Sequence, residues 1–147
     1  MSGRAVVLIF LALTVISSWG TLRWIRGKNA AIDRVGLVQA RLTLADDHGE
    51  DLNEIQSASS AAVFYRVTLR DAPLGEKLSL HCDWIDPQGM LARRRTYEML
   101  ITSEILKTDC KAEFSPDSAP GAWTVEMYLQ RRKLSQKNFR VTRPARD

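Results

Sequence analysis

Two hydrophobic patterns divide the chain. The first is an unbroken run, Ala5 to Leu22, that carries no charge. Helical residues rise about 1.5 Å each, so this run reaches about 27 Å, close to the hydrocarbon thickness of a bilayer. Trp19 and Trp24 sit at one end of it, where indoles prefer the membrane interface. Arg23 interrupts the run and can snorkel to the headgroups, and Arg26 and Lys28 follow. We read residues 1–25 as a tail and a transmembrane helix, and 26–35 as a basic juxtamembrane linker. Two other readings compete. Arg4 followed by the apolar run and Ser18-Trp19-Gly20 also fits a cleaved signal peptide. A buried core helix is the third, but the run has no polar face.

The second pattern is alternation, and it begins after Leu37. Val38, Ala40, Leu42 and Leu44 share one phase, which reads as a half-buried strand. Val63, Tyr65, Val67 and Leu69 repeat it, as do Leu78, Leu80, Cys82 and Trp84. Cys110, Ala112 and Phe114 resume it, then Trp123, Val125, Met127 and Leu129, then Phe139 and Val141. Turn signals separate these runs: 71–75, 86–89, 115–121 and 130–134. Asp86-Pro-Gln-Gly89 suits a type I turn, with a return strand over 91–97. The stretch 96–107 reads either as a bulged strand or as a short helical crossover. The expectation is mainly β: one N-terminal transmembrane helix, then an antiparallel sandwich of about seven strands over 36–143, with a tail at 144–147.

Charge sharpens this division. The net charge is +4, yet residues 1–28 hold four of the 21 bases and none of the 17 acids. The remainder is neutral, so a generally basic nucleic-acid binder is not indicated. The excess is a local label on the apolar run. By the positive-inside rule that label favours a cytoplasmic β-domain.

Leu78-Ser-Leu-His-Cys-Asp-Trp84, the Asp-Pro-Gln-Gly turn, Gly121-Ala-Trp-Thr-Val125 and Asn138-Phe-Arg-Val141 together carry a resemblance. The segment 36–143 resembles membrane-anchored immunoglobulin-like sandwich domains of bacterial envelope proteins. The resemblance implies a closing hairpin with a Gly-x-Trp-x-Val strand, and no functional residue. Antibody-type domains place their Trp a dozen residues after a first Cys, whereas Trp84 follows Cys82 by two. Any disulfide here therefore differs from theirs.

The two cysteines share the phase of apolar neighbours and allow one pairing, Cys82–Cys110, against the alternative of two buried free thiols. A disulfide would require an oxidising compartment. It would place the β-domain in the periplasm, against the charge label. The reading adopted is a bacterial inner-membrane, single-pass protein with a periplasmic β-domain, the cytoplasmic placement being the alternative.

Chemistry-bearing motifs are sparse. The two histidines, His48 and His81, lack the spacing of a zinc or copper set, and His81 would point away from Cys82 on a strand. Neither Gly-x-Ser-x-Gly nor His-Glu-x-x-His occurs. The acids of 46–54 lack EF-hand spacing and read as a solvated loop. No catalytic residue, cofactor or metal is expected. Two basic clusters remain as a candidate docking patch: Arg93, Arg94 and Arg95, and Arg131, Arg132 and Lys133. The plain readings are a charge-guarded edge strand and a solvated hairpin.

The functional expectation is a non-enzymatic accessory or scaffolding subunit of a larger membrane complex: secretory, respiratory, photosynthetic or transport. Its helix would pack on integral membrane partners in the lipid bilayer, and its β-domain would dock on their extramembrane face. No nucleic acid and no small-molecule substrate is indicated. The alternative is an anchored envelope module for a carbohydrate or peptide, which a shallow surface at Phe64 and Tyr97 would favour.

Overall fold

The computed structural model describes residues 30–44, 50–57 and 61–143. The chain divides into two units at Val35/Gly36. Of the first unit the described part is a helical turn over residues 30–34, where the Arg34 guanidinium donates to the Ala30 carbonyl at 3.3 Å. No helix among the described residues is long and apolar enough to cross a membrane. The expected span, with Trp19, Arg23, Trp24, Arg26 and Lys28, lies outside the described residues.

The second unit is a two-sheet β-sandwich. Its strands are β1 (Gly36–Leu44), β2 (Glu54–Gln56), β3 (Ala61–Arg70), β4 (Lys77–Ile85), β5 (Leu91–Leu100), β6 (Leu106–Phe114), β7 (Gly121–Leu129) and β8 (Arg132–Thr142). One sheet has the order β1-β3-β6, and the other β2-β8-β7-β4-β5. All pairings are antiparallel except β2 with β8. The alternating residues of β3, β4, β6 and β7 point inward as the pattern requires, and Val63, Tyr65, Leu78, Leu80, Cys82, Cys110, Val125 and Leu129 are fully buried. One end of the core is aromatic. Phe114 meets Trp84, Trp123 and Phe139 edge-on, with centroids 5.1–5.9 Å apart. That geometry suits the ring quadrupoles.

Four details differ from the pattern. There are eight described strands, because Ile55 carries a three-residue strand out of the expected acidic loop and pairs with Val141. Val38 is the extra residue of a bulge between Leu37 and Gln39, so it faces solvent instead of the core. The ambiguous stretch 96–107 holds no helix: β5 runs to Leu100, residues 101–105 turn, and β6 starts at Leu106. The last hairpin is tighter than expected. β8 begins at Arg132, directly after a turn in which Gln130 has φ 54°.

The motifs behind the resemblance touch one another. Asp86 Oδ1 accepts from the Gln88 and Met90 amides at 3.0 and 2.8 Å, which fixes the 86–89 turn. A Cβ on Gly121 would lie 3.0 Å from the Pro87 ring, and Gly121 has φ 133°. Only glycine meets both conditions comfortably.

Candidate functional site

The outer face of the five-stranded sheet carries the densest polar arrangement. Register aligns Arg94 of β5, Asp83 of β4, Glu126 of β7 and Gln136 of β8 in one row across the strands. Two carboxylates thus stand directly opposite each other, which by itself is unfavourable. Their flanks compensate. The Arg94 guanidinium grips both oxygens of Asp83 at 2.6 and 2.5 Å. The Lys133 ammonium donates to Glu126 Oε1 at 2.7 Å, and the Tyr128 hydroxyl donates to Oε2 at 2.5 Å. Tyr128 in turn stacks on His81, centroids 4.6 Å apart and nearly parallel.

These partners bury the acids although the face is an outer one. Asp83 is 6% exposed and Glu126 9%. The Arg94 hydrogen bonds hold the Asp83 carboxyl below the usual range, against desolvation. Burial pushes Glu126 up, but Lys133 and Tyr128 outweigh it, so its carboxyl also titrates low. The cost appears on the phenol: hydrogen bonding to Glu126 pushes Tyr128 up to about 12.

A second tie closes the flank between β1 and β8. Asp51 Oδ2 accepts from Lys137 at 2.7 Å, and its Oδ1 accepts from the Leu42 amide at 2.9 Å. Lys137 also donates to Asn53 at 2.8 Å. The acidic loop and the basic C-terminal strand therefore meet in space at this point. Asp46, Asp47 and His48 lie outside the described residues.

The candidate docking patch is not one surface. Arg93, Arg94 and Arg95 lie on the edge strand β5 with alternating direction, and Arg94 alone joins the Asp83 row. Lys133 reaches the same row from β8 through Glu126. Arg131 and Arg132 sit at the hairpin, beside Ser79, whose carbonyl accepts from the Gln130 amide. Phe64 and Tyr97 do not form a common shallow surface. Phe64 lies under the Arg66 guanidinium on β3, while the Tyr97 and Thr108 hydroxyls bond at 2.6 Å across the β5–β6 flank. Two adjoining polar grooves do occur there. One, of about 320 Å³, is lined by Gln39, Arg41, Arg66, Thr68, Lys107 and Asp109. The other, of about 280 Å³, is lined by Arg95, Tyr97, Met99 and Lys107 through Asp109.

Cys82 and Cys110 are disulfide-linked across the two sheets, Cα atoms 6.4 Å apart. His81 faces the opposite side of β4, onto Tyr128. Among the described residues no three His, Cys, Asp or Glu side chains converge as a metal requires.

No family model and no curated protein matches the chain. Solved structures do. An immunoglobulin-like protein of Pseudomonas aeruginosa is 13% identical, over 74% of this chain and 97% of that one, with a TM-score of 0.53. An alkylpurine DNA glycosylase of Pseudomonas fluorescens is 14% identical over 73% of this chain and 30% of its own, with a TM-score of 0.52. A Mobiluncus mulieris adhesin is 5% identical over 75% and 57%, with a TM-score of 0.50. Such likeness speaks for the fold alone, an immunoglobulin-like β-sandwich.

Proposed function

We propose that the chain is a single-pass membrane protein whose immunoglobulin-like domain lies on the extracytoplasmic side of a bacterial inner membrane. There it serves as a non-enzymatic accessory subunit of a larger membrane complex. The observation that carries the reading is the pairing of an 18-residue uncharged run, 5–22, with a domain tied across its sheets by Cys82–Cys110. A run of that length suits a span. A buried cross-sheet disulfide suits an oxidising compartment. The sequestered Asp83–Glu126 row supports a rigid docking platform over a reaction site, since both carboxylates are already held by Arg94, Lys133 and Tyr128.

Purification of the full chain from membranes in mild detergent, followed by mass spectrometry, tests the reading. Integral membrane proteins should co-purify in fixed proportion. Recovery of an isolated monomer from every detergent would contradict it. The grooves beside β6 favour a second reading, an anchored module that binds a polar envelope ligand such as a carbohydrate or peptide.

A further inference from the structure

The chain enters the β-domain at Gly36, and the register places Gly36 opposite Arg70, the last residue of β3. The β3–β4 loop, residues 71–76, therefore lies at the entry end. The 101–105 loop lies there too. It is laced to the first by three backbone bonds: Ala72 N–H to Glu104, Gly75 N–H to Ile101 and Ile101 N–H to Glu76. These two loops hold Ile101 buried beneath them, yet they leave large apolar side chains uncovered. Leu74 is 57% exposed, Leu100 at the loop edge 55%, and Ile105 52%. Single exposed leucines are ordinary, but register gathers these three at one end of the sandwich.

Charge surrounds this patch with a basic excess. Arg70, Lys77, Lys107, Arg131 and Arg132 lie at the same end by register, against Asp71, Glu76 and Glu104. Arg70 lies 3.8 Å from Asp71. Apolar tips rimmed by bases are the chemistry of the headgroup–acyl boundary of an anionic bilayer.

We infer that the Leu74, Leu100 and Ile105 tips insert into the lipid interface and seat the β-domain on the membrane. This inference rests on the membrane-anchored reading above. It makes the bilayer the first docking partner of the domain and leaves the Asp83–Glu126 row to meet proteins.

The test uses the full chain in nanodiscs containing phosphatidylglycerol. Both native cysteines are in the disulfide, so a nitroxide attaches selectively to Leu74→Cys. Gln88→Cys, in the exposed turn at the opposite end, is the control. The label at 74 should show a several-fold higher ratio of oxygen to nickel-complex collisions than the label at 88. Adding Leu100→Asp and Ile105→Asp should return the label at 74 to the aqueous value. Equal, aqueous ratios at both positions in chain that has entered nanodiscs would overturn the lipid contact alone and leave the patch to a protein partner. Chain that stays soluble and outside the nanodiscs would overturn the anchor and the lipid contact together.

Discussion

Asp83 and Glu126 face each other directly across β4 and β7, two nearly buried carboxylates on the outer side of a sheet. Like charges at that position would push strands apart, so the sheet tolerates them only because Arg94 and Lys133 flank the pair. The row is thus a single electrostatic unit, and its behaviour follows from which members are charged.

Acid should uncouple it. Both carboxyls titrate below their ordinary values in the folded protein, Asp83 through the Arg94 bonds and Glu126 through Lys133 and Tyr128 outweighing burial. Unfolded chain takes up those protons first, at about pH 4. The row's stabilisation is therefore complete above that pH and is lost as pH falls through the lower folded values. Urea midpoints measured from pH 6 to pH 2 should fall less steeply for the Asp83→Asn, Glu126→Gln double variant than for the parent. Parallel curves would contradict this.

At the alkaline limit the sign reverses. Tyr128 is raised to about 12 while an unfolded tyrosine ionises near 10. Its contribution is intact below about pH 10 and disappears as pH rises toward the folded value. Burial also raises Tyr65 and Tyr97, so absorbance at 295 nm should show all three tyrosines ionising above their ordinary value. Tyr128→Phe should remove one tyrosine's share of that late change, and an unchanged amplitude would contradict the assignment.

Reduction of Cys82–Cys110 releases a cross-link between residues 28 apart. In the chain-entropy picture the loss is about 3.5 kcal/mol. Guanidinium unfolding with and without reductant measures it. An unchanged midpoint would mean that packing alone holds the sheets.

Phe114 is the hub of the aromatic cluster, touching Trp84, Trp123 and Phe139 edge-on. Phe114→Ala should cost about 3–5 kcal/mol. A cycle with Phe139→Leu should show coupling of about 0.5–1.5 kcal/mol beyond additivity. Additive losses would reduce the cluster to simple burial.

Strands with one wet face and one dry face were legible from alternation, which is why β3, β4, β6 and β7 matched their patterns. β2 was not, because Ile55 is its one apolar residue and its partner Val141 lies far along the chain. β5 alternates only over Tyr97–Leu100, because the rest of this edge strand has little of either face covered. The Arg93–Arg95 run was visible, but its partner was not. Asp83 reads as an ordinary polar spacer in β4 until register sets it beside Arg94 and opposite Glu126. The same holds for Asp51 and Lys137, whose opposite signs were plain while their contact depended on the fold.

The central claim is an anchored chain with its β-domain outside the cytoplasm. A fusion of alkaline phosphatase to the C-terminus of the full chain, assayed in carbonate-washed membranes, tests it most directly. The enzyme folds only where disulfides form. The account predicts activity retained in the membrane pellet. An inactive fusion in the pellet, or fusion protein washed into the supernatant, would contradict it.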